Sequence, residues 1–224
     1  MVPTNDTQIR QIRHSAAAFM VAAAGTAVAG LVLFLGVEPS TDISDDMWRY
    51  PWQSSSAFVA FSIVSAAMHG LVALGLLAFG RSGAAGRSRA AVRGVALAVA
   101  GTCLLLAGEL LSIPVRDAKA SDTSAAIVGA VFGLACVVST VGFIVAGRAT
   151  MRAGLWRGWR RFTPLATGVS LIPIGVLGLG LPTLLPALVA VYGLCLLAMG
   201  VALYTEPAPR TAVTAGTFVG LAVE

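Results

Sequence analysis

Two ionisable side chains, Glu109 and His69, interrupt the long apolar runs of this chain. A carboxyl inside hydrocarbon costs about 2.5–3.5 kcal/mol on insertion scales, so Glu109 must face protein or water rather than lipid. Such a group can take up a proton or neutralise a cation, which is the chemistry of a carrier. A plainer reading puts Glu109 close to the outer end of its helix. There it reaches the interface or pairs with Arg116, seven residues on and therefore on the same face.

His69 lies deeper in its own apolar run, on one helix face with Ser62 and Ser65. A neutral imidazole at that depth is held by a serine or a carbonyl of a neighbouring helix, or else it relays protons or ligates a cofactor. Counting helix rise from the ends of the two runs puts His69 more than about 10 Å from Glu109 along the membrane normal. A direct contact is not expected, and a water-linked path would be needed.

Other chemistry has little material. The second histidine, His14, precedes the first apolar run, and two histidines are too few for a transmembrane electron path with two haems. Cys103, Cys136 and Cys195 stand alone inside apolar runs and read as small packing residues. The acids Asp42, Asp45 and Asp46 lack the spacing of a calcium loop and read as a solvated segment. No phosphate-cradling glycine motif, nucleophile elbow or HExxH pattern occurs. The expectation is no catalytic residue, no cofactor, no metal site and no enzymatic activity.

The elements that carry these residues follow from composition. Apolar residues make up 57% of the 224 positions, charged ones 11%, and mean hydropathy is +0.87. Soluble domains have about 45–50% and 25%, so the bilayer is the solvent here. Spans of about 20 residues use nearly all the length. The expected fold is all-α, a single polytopic domain forming a bundle of six transmembrane helices over about 15–36, 56–79, 94–113, 124–146, 164–181 and 183–204. The first run passes 20 residues without a small-x-small cleavage pattern, so it reads as a retained span. Residues 205–224 contain Pro207 and Pro209 and a final apolar run too short to span, and read as a flexible tail.

Sidedness follows from charge. Between Gly147 and Pro164 stand five arginines and no acid, and short loops rich in Lys and Arg stay cytoplasmic. With that loop inside, twelve basic residues fall on the cytoplasmic side against Arg49, Arg116 and Lys119 outside. Both termini are then cytoplasmic.

The net charge of +5 sits beside apolar spans rather than along a polar face, which favours anionic lipid headgroups over nucleic acid as partner. Arg148, Arg152, Arg157, Arg160 and Arg161 are the expected contacts, within an interfacial basic segment over 148–163. Met151, Leu155, Trp159 and Phe162 would share one face of a short surface helix there.

Three phrases carry a resemblance: Trp48-Arg49-Tyr50-Pro51-Trp52, Phe79-Gly80-Arg81-Ser82-Gly83-Ala84-Ala85-Gly86 and Gly158-Trp159-Arg160-Arg161-Phe162-Thr163-Pro164-Leu165. Together they resemble an uncharacterised, actinobacterial-type family of multipass integral membrane proteins. The resemblance implies a bacterial plasma membrane and brings no activity with it.

Two functions remain as expectations. In the first the chain is an accessory or interaction subunit of a larger membrane assembly, or a homo-oligomer, because its Ala- and Gly-rich faces suit helix–helix association. In the alternative it is a small proton-coupled transporter or carrier using Glu109 and His69. The position of those two side chains separates the readings.

Overall fold

The structure, a computed structural model, describes residues 6–177 and 181–205. Six α-helices follow one another: α1 Asp6–Val32, α2 Ser55–Ser82, α3 Arg89–Ser112, α4 Thr123–Ala153, α5 Thr163–Leu177 and α6 Leu185–Tyr204. Among the described residues there is no strand, and one isolated bridge joins Met47 to Lys119.

Local chemistry sets the helix ends. Ser54 and Ser88 cap α2 and α3, each accepting from the backbone N–H three residues on, at 3.2 Å and 3.1 Å. Gly83 and Gly154 stop α2 and α4 in the left-handed region, with φ of 78° and 64°. Beyond Val32 the first helix loosens into a π-helical turn, Leu33–Val37, and then tightens into a 3₁₀ turn, Glu38–Ser40.

Among the described residues, five helical segments are long and apolar enough to cross a membrane, at Thr7–Ser40, Ser55–Ser82, Arg89–Ser112, Thr123–Ala153 and Leu185–Tyr204. The sequence led us to expect six. The difference lies at 164–181, where α5 has 15 described residues, with Pro173 among them, and falls short of the about 20 that a span needs. Apart from Thr205, the expected flexible tail lies outside the described residues.

The helices are arranged as a ring. Each packs on its neighbour in sequence, and α6 closes against α1. The most extensive seams are α3 with α4 and α1 with α6, and both are made by glycines. On α3, Gly94, Gly101 and Gly108 recur every seven residues and so lie in one line. A methyl at Gly94 would stand 2.5 Å from the Ala146 nitrogen, and one at Gly101 2.5 Å from that of Ser139. Across the other seam, a methyl at Gly193 would stand 2.5 Å from the Ala27 nitrogen and one at Gly30 2.6 Å from that of Ala190. In lipid, where no hydrophobic driving force separates helix from solvent, such backbone proximity is what holds helices together.

One end of the ring carries the basic turns 83–88 and 154–162 and is called the arginine end. The other, the cap end, carries the loops 41–54 and 113–122. The large, fully buried side chains gather in the half toward the arginine end: Phe19, Leu76, Phe79, Phe143, Leu196 and Met199, all at most 1% exposed. That half is a close-packed apolar plug.

Candidate functional site

On α3 the interior row runs Ala98, Thr102, Leu105, Glu109, Ser112, at alternating spacings of four and three. Its other four members are at most 7% exposed, and Glu109 is half-buried among them. The matching row on α2 runs Phe58, Ser62, Ser65, His69, Val72, Leu76, Phe79. Both ionisable groups therefore belong to lines of side chains that face the middle of the ring.

Their levels can be compared through the contacts between α2 and α3. Gly80 lies against Val95, and one helical stretch away Gly70 lies against Leu106. The two antiparallel helices keep one register between those points. Continued to Glu109, it sets that residue opposite Ala66 and Ala67, only two or three positions from His69 and about 4 Å of helix rise. The expected separation of more than 10 Å is thus corrected. The cause is the unequal length of the helices: α2 runs about two turns past the level of Ser112, and Ser55 at its start meets Asp117 in the turn beyond α3.

The expected pairing of Glu109 with Arg116 is not formed. Arg116 is 3.3 Å from Asp117 and donates to the Ile113 carbonyl at 2.9 Å. Glu109 makes no ion pair and no side-chain hydrogen bond among the described residues, and it lies well below the level of Asp117. A carboxyl with no counter-charge at such depth is costly unless it binds something.

Two polar atoms on the facing row share this condition. His69 Nδ1 is buried without a hydrogen bond of acceptable geometry, although the Ser65 backbone lies beside it, and Ser62 Oγ is buried without a partner. Ser139 Oγ, against Gly101 on α3, and the Tyr192 hydroxyl on α6 are also unpartnered. Neighbouring hydroxyls behave differently. Thr26, Thr102, Ser112, Thr150 and Thr167 each donate to the carbonyl four residues back, at 2.8–3.0 Å. Most buried polar atoms in proteins are satisfied in some such way, so the exceptions require an account.

Over this region the cap end is closed. Trp48 N–H donates to the Ala118 carbonyl at 3.0 Å and Ala120 N–H to that of Asp46 at 2.6 Å. Arg49 pairs with Asp117, whose carboxylate also accepts from the Ser55 hydroxyl at 2.8 Å. Lys119 stands 3.7 Å from Asp46. The Trp48 ring lies 6.5 Å from that of Phe132, which covers Gly108, the residue before Glu109. Tyr50 donates to Glu38 at 3.2 Å, and burial together with the Glu38 carboxylate holds its phenol above the usual tyrosine range. Asp42 and Asp45 join no cluster: among the described residues no group of three or more His, Cys, Asp or Glu could hold a metal ion.

At the arginine end the expected surface helix is not formed. α4 continues through Arg148 and Arg152 to Ala153, Gly154 and Gly158 take φ of 64° and 61°, and Gly158–Phe162 is a 3₁₀ turn. The two glycines break the face that Met151, Leu155, Trp159 and Phe162 would have shared. Trp156, which the sequence did not single out, turns inward instead and packs 5.4 Å from Phe79. Leu155, Trp159 and Phe162 remain exposed, with the Arg161 guanidinium 4.6 Å above the Phe162 ring.

Comparison of the chain with protein-family models, with curated proteins and with solved structures gives no match.

Proposed function

We propose that this protein is a small proton-coupled carrier of a bacterial plasma membrane, with Glu109 as the proton-binding group and His69 as its relay. The observation that supports this is the carboxyl of Glu109, on an interior row without a counter-charge and offset by about 4 Å of helix rise from the imidazole of His69 on the next helix, whose Nδ1 has only the Ser65 backbone beside it. In this reading α5, which packs between α4 and α6, completes six crossings. Both termini are cytoplasmic because the basic turns mark the inner side.

In this reading protons enter at the cap end when the fastened loops 41–54 and 113–122 part. Toward the arginine end the interior rows are closed by Leu76, Phe79 and their neighbours, whereas toward the cap they carry Ser62 and Ser112. A proton arriving from outside would meet hydroxyls and then the imidazole and carboxyl. Most of the close glycine contacts that could suggest an accessory role are used inside the chain, whereas a methyl at Gly133 would meet nothing within 4 Å. Gly30, Gly94, Gly101, Gly142, Gly147 and Gly193 all face helices of the same chain.

The test is proton flux in proteoliposomes after a pH jump. Replacing Glu109 with Gln should reduce flux at least about tenfold, in line with general acid–base contributions of 10²–10⁴, and His69→Gln should slow it less. Unchanged flux in Glu109→Gln, with the fold intact by circular dichroism, would remove that residue from the mechanism.

A further inference from the structure

From the arginine end of the α4–α5 seam we infer a binding site for one anionic phospholipid, its phosphate held between Arg148 and Arg152 and its first acyl segment lying along Ile144, Met151 and Leu165. These five residues line an open cleft of about 350 Å³. It exists because the helices cross closely beside it: a methyl at Gly147 would stand 2.6 Å from the Leu165 nitrogen, and one at Gly168 3.0 Å from Ile144. The crossing supplies a floor, and the side chains on either side of it supply walls.

The charge of the cleft identifies its occupant. Arg148 and Arg152 are four residues apart and project from one face of α4. Neither is within ion-pair distance of an acid among the described residues, although three other pairs form among them. The negative C-terminal end of α4 accounts for a cation at Arg152, in the last turn. It does not account for Arg148 a turn earlier, nor for apolar walls beneath both. Two guanidiniums can grip the oxygens of one phosphodiester, and planar donors suit that geometry better than ammonium groups. The apolar walls lie where the lipid chains begin, next to exposed Leu155 and Phe162. A soluble phosphate compound would use the arginines and leave Ile144, Met151 and Leu165 uncovered. A lipid uses both.

The experiment uses the full chain in nanodiscs containing phosphatidylglycerol and phosphatidylcholine, with bound lipid counted by native mass spectrometry. Arg148→Gln/Arg152→Gln is compared with Arg87→Gln/Arg89→Gln, which removes equal charge from the other basic turn. With two arginines near the surface together carrying about thirtyfold in binding, the first variant should retain about thirtyfold less phosphatidylglycerol and the second nearly the parent amount. Equal loss in both variants means diffuse attraction and overturns the site, as does no loss in either. A third arm adds glycerol phosphate, the headgroup without chains. If it displaces the lipid as well as intact phosphatidylglycerol does, the apolar walls contribute nothing and the lipid assignment falls.

Discussion

A hydroxyl on a membrane helix can satisfy itself by donating to a carbonyl one turn back, and most of the buried ones here do. Ser139 does not, although it is fully buried against the α3 backbone. Leaving a buried polar atom unpaired costs about 1–3 kcal/mol, so Ser139→Ala should be neutral or stabilising by about 1 kcal/mol in denaturant unfolding. A clear loss of stability would reveal a partner for the hydroxyl. Tyr50 gives a pH-dependent counterpart outside the spans. Because its folded-state value lies above the ordinary value of about 10, the stabilisation from its protonated phenol is fully present below pH 10. It is lost as pH rises through the higher folded value. Tyr50→Phe should remove that part of the alkaline decline, as followed by thermal unfolding at pH 8 and at pH 11. At this scale the sequence announced Glu109 and His69 by type, because ionisable groups are rare in apolar runs. It could not show their common level, which depends on how far α2 extends past α3. Nor could it show which hydroxyls fail to find a carbonyl.

Among the helices, the glycine seams decide where the chain tolerates change. A methyl at Gly193 meets the Ala27 backbone, and one at Gly101 meets the Ser139 backbone as well as its hydroxyl, so Gly101→Ala and Gly193→Ala should each cost about 1–3 kcal/mol as overpacked contacts. Gly70 also lies on a helix, yet a methyl there meets only the Leu106 side chain at an ordinary 3.6 Å. Gly70→Ala should be neutral or stabilising by about 0.5–1 kcal/mol through helix propensity. Unfolding of the three variants in one detergent checks the contrast. The line Gly94, Gly101, Gly108 was present in the sequence as a seven-residue repeat. Gly129 and Gly133, four apart on α4, have the same kind of spacing, yet the nearest side chain to Gly129 is Trp48 of the cap. Small residues at helical spacing tell that a seam exists and not which helix lies across it. The basic segment failed as a surface helix for a local reason, since helical periodicity was read through two glycines that take the left-handed conformation.

For the molecule as a whole, hydropathy was sufficient to indicate an all-helical membrane chain and where its helices are interrupted. The fastening of one loop onto another was not legible, because it rests on pairings such as Arg49 with Asp117 that are 68 residues apart. That pair is partly exposed, so Arg49→Ala should cost less than about 1 kcal/mol. The same substitution should nonetheless speed hydrogen exchange at Trp48 and Ala120, whose amides hold the cap closed. Closure of the ring has a consequence for how the protein is made. α1 leaves the ribosome ahead of α6, its most extensive partner, so it must wait in the bilayer with Ala27 and Gly30 uncovered on that side while the four helices between them are synthesised. A photo-crosslinker at Ala27 should therefore capture lipid or insertion machinery in nascent chains cut before Leu185, and capture α6 only in chains that contain it.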